Sequence, residues 1–259
     1  MSDAPLLQIR DLTKTFGSVE ALTEVDFEVR AGEVMALVGD NGAGKSTLVK
    51  CIAGTHTPDS GHIVFEGTEV QIHNPKDAAK LGIEVVYQDL ALCDNLDVVQ
   101  NMYLGREANR LQILNEAVME QHTGETLKSL AVTTIRSVRQ TVATLSGGQR
   151  QSVAVARAVM WNSKLVVLDE PTAALGVAQT EQVLELVRRL GQQGLGVILI
   201  SHNLHDVFES ADRIAVLRLG RNVGVFDRRT TTQQAVVEAI TAGTPTKVSG
   251  IPSTVGASA

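Results

Sequence analysis

A glycine-rich loop between a short apolar run and a helical pattern constrains the fold of this chain more than any other feature. Residues 39–46 read GDNGAGKS and fit the pattern G-x-x-x-x-G-K-[ST]. Val34–Val38 before the loop is continuously apolar, which is typical of a strand buried on both faces, and a helix is predicted after it to about Ala53. Backbone N–H groups of such a loop turn inward around phosphate oxygens, and the helix N-terminus adds its dipole. The sequence therefore predicts a nucleotide site in which Lys45 reaches the β- and γ-phosphates and Ser46 binds Mg²⁺.

The rest of the chain alternates between strand and helix patterns, as in a parallel sheet covered by helices. Hydrophobic residues make up 44 % of the sequence and aromatic residues only 3 %, so the core must be built from aliphatic side chains. Residues 6–38 read as strands. Further strands are predicted at 63–65, 70–72, 84–87, 164–168, 196–200 and 213–219, and helices at about 177–190, 203–210 and 231–241.

Between about residues 89 and 161 the pattern becomes mostly helical, with apolar residues near i, i+3, i+4 spacing. We expect a helical subdomain inserted at about 89–161 into one domain that spans residues 1–243. Residues 244–259 are small and polar, and we expect them to be disordered.

An apolar strand that ends in two carboxylates, Asp169 and Glu170, predicts the second part of the nucleotide site. In open parallel sheets, ligands bind at the carboxyl ends of the strands. We expect Asp169 to hold Mg²⁺, directly or through water, and Glu170 to polarise the attacking water as general base. A solvated turn after a core strand is the competing interpretation, which the nearby phosphate loop disfavours.

A third motif, LSGGQ at residues 145–149, precedes an Ala/Val-rich helical pattern. Ser146 is a natural N-cap, and the two glycines after it expose N–H groups at a helix N-terminus. The motif therefore predicts a second anion site in the same chain.

These motifs, in this order, resemble those of the ATP-binding cassette (ABC) family over about residues 6–242. The resemblance implies an α/β fold: a P-loop NTPase core with a RecA-like, mostly parallel sheet, an N-terminal antiparallel β subdomain and an inserted helical subdomain. It implies ATP and Mg²⁺ as ligands. By that resemblance the nucleotide contacts are Phe16 on adenine, the Walker A residues Gly39, Asp40, Asn41, Gly42, Ala43, Gly44, Lys45, Ser46 and Thr47, and the signature residues Ser146, Gly147, Gly148 and Gln149. It also assigns Asp169 to Walker B and Mg²⁺, Glu170 to the catalytic base, His202 to the γ-phosphate, and Gln88 to Mg²⁺, water and the side facing the permease.

One residue departs from the family pattern. After PTAAL at residues 171–175 the family usually has an aspartate that helps to couple two sites across a dimer, and here the residue is Gly176. The stretch from Glu170 to Val177 nevertheless resembles ATPases of pentose and hexose importers. Cys51 is expected to be a core thiol, and neither cysteine is expected to form a disulfide.

The expected partners are membrane permease subunits, a second cassette in a homodimer and, indirectly, a periplasmic or extracellular solute-binding protein. The N-terminus lacks a secretory pattern and no apolar run reaches the ~18 residues of a membrane span, so we expect a peripheral protein on the cytoplasmic face of the inner membrane. A net charge of −6 disfavours a nucleic-acid partner. Import of another small solute, a soluble ABC ATPase of DNA repair or translation, and a non-catalytic nucleotide switch are the alternatives, and intact Lys45 and Glu170 disfavour the last.

Overall fold

A computed structural model describes residues 4–107, 109–110 and 113–243, so the predicted disordered tail at 244–259 lies outside the described residues. The strands are β1 Leu7–Phe16, β2 Val19–Val29, β3 Val34–Val38, β4 Ser60–Phe65, β5 Thr68–Val70, β6 Ile83–Val86, β7 Asn109–Arg110, β8 Ile113–Leu114, β9 Leu165–Asp169, β10 Gly196–Ile200, β11 Arg213–Arg218 and β12 Arg221–Asp227. The helices are α1 Lys45–Ile52, α2 Pro75–Leu81, α3 Val98–Tyr103, α4 Glu116–Ser129, α5 Gly147–Val159, α6 Val177–Gln192, α7 Leu204–Ser210 and α8 Gln233–Ala242.

The larger sheet has six strands in the order β12-β11-β3-β10-β9-β6. All neighbouring pairs are parallel except β11 with β12, which is an antiparallel hairpin. Strands β3 and β10 are buried along their whole length because helices or the second sheet cover both faces. The mostly parallel sheet predicted from the sequence is confirmed.

The smaller sheet is antiparallel and has the order β2-β1-β4-β5. Side chains of strand β3 alternate between two hydrophobic clusters. Met35 and Leu37 pack with the smaller sheet and α1, whereas Val34, Ala36 and Val38 pack with helices on the opposite face. The phosphate loop at the end of β3 is therefore anchored between two cores.

The segment predicted as a helical insert contains α3, α4 and α5, together with the short hairpin β7–β8. Helix α5 packs against α3 and α4 but also against α6 and β6. The helices of this segment thus share one continuous hydrophobic cluster with the parallel sheet. No helix in the described part of the chain is long and apolar enough to cross a membrane.

Three local features differ from the expectations. Strand β5 ends at Val70, two residues before the predicted strand ends, and Ile72 instead packs into the core. Helix α2 was not predicted, although Asn74 caps its N-terminus and Gly82 ends it in a left-handed conformation. The edge strand β12 was also missed because most of its residues are partly exposed, which blurs the hydrophobic alternation.

Candidate functional site

The site lies where four adjacent strands of the larger sheet end. The strands β3, β10, β9 and β6 are neighbours and parallel, so their carboxyl ends meet at one edge. The phosphate loop follows β3, His202 follows β10, Asp169 and Glu170 end β9, and Gln88 follows β6. Sheet order therefore assembles motifs that are up to 163 residues apart in the chain (Gly39 to His202).

An open cleft of about 660 Å³ occupies this edge. Its lining includes predicted site residues from all four strand ends, among them Gly39, Asp40, Asn41, Gln88, Glu170 and His202. It also includes Leu204 and, from α8, Val237, Ile240 and Thr241, which the sequence did not indicate. Helix α8 was missed as a wall of the site because its contacts to this edge depend on tertiary packing alone.

The phosphate loop requires glycine at the residue that caps α1. Gly44 has φ 102°, a left-handed conformation that disfavours other residues. A Cβ atom there would also lie 2.8 Å from the carbonyl oxygen of Ala21 and 2.8 Å from the side chain of Leu22. The loop can therefore keep this conformation beside β2 only with glycine at position 44.

Lys45 lies within this loop and faces the acidic pair. Its Nζ donates to the carbonyl oxygens of Gly39 at 2.6 Å and Asp40 at 3.0 Å. Burial lowers the pKa of Lys45, while the charges of Glu170, Asp40 and Asp169 act in the opposite direction. A partly buried ammonium group held by backbone carbonyls is suited to binding an anion such as phosphate.

Asp169 is half-buried at the end of β9. Burial raises the pKa of its carboxyl group, the neighbouring Glu170 raises it further, and Lys45 and Lys50 act against the rise. The nearby lysines therefore do not fully offset the cost of burying the Asp169 carboxylate. A divalent cation bound there would supply additional positive charge.

Glu170 and His202 form a close pair above the sheet. The Oε2 atom of Glu170 lies 2.7 Å from Nδ1 of His202. Glu170 has φ 51°, which is unfavourable for a residue with a side chain, and its N–H donates to the carbonyl of Ile200 at 3.0 Å. The two residues predicted to act on the γ-phosphate are thus brought together at the mouth of the cleft.

Phe16 lies at the end of β1, and its side chain is exposed, as stacking on a base requires. His56 packs edge-on against its ring at 5.1 Å between centroids, and Nζ of Lys14 lies 5.5 Å from the ring centroid. Gln88 is likewise exposed, just beyond β6.

The signature motif begins α5 through a capping box. Gln149 N–H donates to Oγ of Ser146, and the Gln149 side chain accepts from the Ser146 N–H at 2.8 Å. Gln149 also donates to the carbonyl of Thr134 at 2.6 Å, so in this structure its side chain shapes the helix start. A Cβ at Gly147 would lie 2.9 Å from a terminal methyl group of Leu175, and one at Gly148 would lie 3.1 Å from Cβ of Gln179, so this helix start lies close to the start of α6.

A sequence model of the ABC transporter family matches residues 22–173, more than half of the chain. The fructose import ATP-binding protein FrcA of Rhizobium meliloti is 46 % identical over 248 residues, covering 93 % of this chain and 95 % of that protein. The xylose/arabinose import ATP-binding protein XylG of Sulfolobus acidocaldarius is 48 % identical over 241 residues, with 93 % of this chain and 95 % of that protein covered.

The fold also resembles solved cassettes. A dimeric structure of the ATP-binding cassette MJ0796, in a post-hydrolysis state bound to ADP and Pi, has a TM-score of 0.71 and is 25 % identical. The match covers 87 % of this chain and 100 % of that one. From its motifs, its fold and these relatives, the chain belongs to the ABC transporter family, as an ATP-hydrolysing nucleotide-binding cassette.

Proposed function

We propose that this chain hydrolyses ATP at the edge of the parallel sheet to drive the import of a monosaccharide. The observation that carries the hydrolytic part is the Glu170–His202 pair, 2.7 Å apart, in the same cleft as the phosphate loop. The solute class is supported by the full-length similarity to ATP-binding proteins of fructose and xylose/arabinose import.

The predicted site residues have separate chemical roles in this proposal. Lys45 and the loop N–H groups bind the β- and γ-phosphates. Glu170 accepts a proton from the water that attacks the γ-phosphorus, and the bond to the β-phosphate oxygen breaks to give ADP and phosphate. His202 orients Glu170 and contacts the γ-phosphate, and Phe16 stacks on the adenine.

Mg²⁺ fits the oxygen donors at this edge. The Ser46 hydroxyl, the Asp169 carboxylate and the Gln88 amide are the proposed ligands, together with water and phosphate oxygens. The incompletely compensated burial of Asp169 supports this assignment. When bound, Mg²⁺ would neutralise charge that develops on the phosphates.

Two copies of the chain are proposed to share each nucleotide. The phosphate loop and the signature residues Ser146–Gly148 each lie at a helix N-terminus that can bind an anion. The phosphate loop alone is enough to hold the phosphates of a nucleotide within its own cassette, so the signature is free to bind a nucleotide held by another copy. A two-fold dimer would place the signature of one copy against the ATP held by Lys45 of the other. The dimeric form of the related cassette MJ0796 supports this arrangement.

The proposed membrane partners are permease subunits that contact the helical segment at about 89–161. Gln88 directly precedes this segment, so the proposed contact with the phosphate site and the proposed contact with the permease are adjacent in the chain. The cassette would then lie on the cytoplasmic face of the membrane, and a solute-binding protein would act indirectly from the other side.

The solute is tested by ATPase activity of the transporter reconstituted with its permease and binding protein. We expect stimulation by one or more pentoses or hexoses. Stimulation by amino acids or metal complexes, with no response to any sugar in the panel, would assign another small solute and leave the ATPase activity unaffected.

The hydrolytic role of Glu170 is tested by Glu170→Gln, which keeps the size of the side chain but removes the base. We expect turnover to fall about 10²- to 10⁴-fold while ATP binding is retained. Lys45→Ala serves as the comparison variant, because it should weaken ATP binding, whereas Glu170→Gln should lower only turnover. A Glu170→Gln protein that hydrolyses ATP at the parental rate would show that the base lies elsewhere.

A further inference from the structure

Asp206, on α7, is a buried carboxylate that the hydrolytic roles above do not use. The residue is 2 % exposed. Its Oδ2 accepts from the Thr172 hydroxyl at 2.6 Å, and its Oδ1 accepts from Nδ2 of Asn203 at 3.0 Å. Among the described residues, the basic group within ion-pair distance of Asp206 is the exposed ring of His205, whose Nδ1 lies 3.8 Å from Oδ1.

A carboxylate in this position is costly. Burial of an ionised group is unfavourable unless it is paired or fully hydrogen-bonded. In the described parts of the chain, no lysine or arginine forms an ion pair with Asp206, so two neutral donors hold it. An apolar residue would fill the same space on the buried face of α7 without that cost, which indicates a role beyond packing.

The two donors of Asp206 belong to the two loops that carry the Glu170–His202 pair. Thr172 is two residues after Glu170, and Asn203 directly follows His202. The same carboxylate thus links the loop after β9 to the loop after β10. Because its two oxygens accept one bond each, the distance between the loops is fixed by one rigid group.

The loop that carries Glu170 needs such a restraint. Glu170 has a left-handed φ, and the turn after it is closed by backbone bonds from Ala173 N–H to the Glu170 carbonyl and from Leu175 N–H to the Thr172 carbonyl. Those bonds hold the turn together internally, whereas the Thr172–Asp206 bond ties it to α7. Without it, the strained Glu170 backbone has fewer contacts that oppose relaxation.

We propose that Asp206 is a positioning residue for hydrolysis, which holds Glu170 at its working distance from His202 through Thr172 and Asn203. The inference rests on the proposed role of Glu170 as general base. It predicts that loss of the Asp206 contacts slows the chemical step and leaves nucleotide binding intact, because the phosphate loop is not part of this network.

The decisive variants are Thr172→Val, which removes the hydroxyl but keeps the shape, and Thr172→Ser, which keeps the hydroxyl. We expect Thr172→Val to lower kcat about ten- to hundredfold, as a displaced catalytic group would, and Thr172→Ser to stay near the parental value. The Kd for a fluorescent ATP analogue should stay within about twofold of the parental value for both variants, because neither variant changes the phosphate loop. Asp206→Asn, in which an NH₂ donor replaces one of the two acceptor oxygens, should behave like Thr172→Val.

A background variant separates positioning from general stability. In Glu170→Gln protein, with residual turnover followed by radiolabelled ATP, Thr172→Val should lower turnover by less than about a further twofold, because the carboxylate that Thr172 helps to position is gone.

Three outcomes would overturn the positioning role while Glu170 remains the base: an equal loss of turnover in both backgrounds, a parallel loss of nucleotide binding, or parental turnover in Thr172→Val. Parental turnover in Glu170→Gln would instead overturn the proposed role of Glu170 as general base, and the positioning role with it. If Asp206→Asn does not fold, the comparison of Thr172→Val with Thr172→Ser still tests the positioning role.

Discussion

At the scale of single residues, the two cysteines differ in burial and therefore in the expected reactivity of their thiols. Cys51 is fully buried in α1, and desolvation raises the pKa of its thiol to about 11. Only about a thousandth of the thiol would be ionised at pH 8, and the thiolate is the reactive form. Cys93 is partly exposed in the loop before α3.

We therefore predict that Ellman's reagent labels one thiol per folded chain at pH 8 and two after denaturation in guanidinium. The control is Cys93→Ser, which should show no fast labelling when folded. Rapid stoichiometric labelling of folded Cys93→Ser would contradict the buried, protonated state of Cys51.

The residues that carry chemistry were largely visible in the sequence, whereas those that position them were not. Lys45, Glu170 and His202 follow apolar strands within recognisable motifs, and the structure brings them to one edge. Their individual roles stay predictions. Asp206 could not be identified, because its importance depends on burial against Thr172, 34 residues away. The spacing Asn203-x-x-Asp206, from the N-cap of α7 to the third residue of the helix, was the available signal.

At the scale of secondary-structure elements, the start of α6 shows the effect of the departure from the family pattern. Gly176 is the N-cap residue and offers no side-chain oxygen to the free N–H groups of the first turn. Its φ of −74° suits any residue, and nothing lies within 4 Å of a Cβ built there.

We predict that Gly176→Asp stabilises the chain by about 0.5 kcal/mol through capping and the helix dipole. Thermal unfolding should show a rise in Tm, and Gly176→Ala, which adds a Cβ but no acceptor, should not reproduce it. A fall in Tm for the aspartate variant would contradict the open, uncapped helix start.

The loop between Gln88 and α3 depends on one buried amide. Asn101 is fully buried and accepts from the Cys93 N–H at 2.7 Å while it donates to the carbonyls of Cys93 and Asp97. We expect Asn101→Ala to cost about 2–4 kcal/mol, because it leaves a cavity and buried backbone groups without partners. Urea unfolding measures the loss, and the exposed Glu125→Ala on α4 is the control. A cost equal to that of the control would show that the loop is held by other contacts.

Elements buried on both faces were predicted most closely. The predictions for β3 and β10 match the observed bounds because continuous apolar runs of this length are typical of strands in a buried parallel sheet. Helix α2 and strand β12 were missed since their stability comes from caps and edge pairing, which hydrophobic periodicity does not report. The inserted subdomain at about 89–161 stays a prediction, and the packing of α5 on both α3 and α6 indicates that its end merges with the core.

At the scale of the whole molecule, the phosphate loop and the signature motif lie against different parts of the fold. The signature helix α5 begins against α6, where Gly147 and Gly148 pack beside Leu175 and Gln179. The lining of the phosphate cleft comes instead from the strand ends and α8. In the proposed dimer, a nucleotide bound to the loop would meet the signature of the second chain, and hydrolysis would be a property of the pair.

The most direct test of this account mixes two inactive variants in the reconstituted transporter. Lys45→Ala lacks the phosphate-binding lysine, and Ser146→Arg blocks the signature, so each homodimer has two defective sites. A mixed dimer has one site built from the intact Lys45 of one copy and the intact Ser146 of the other. With random pairing and independent sites, an equimolar mixture should recover about a quarter of the parental ATPase activity. Activity no higher than that of the separate variants, with both proteins folded and mixed dimers demonstrated, would contradict the shared site.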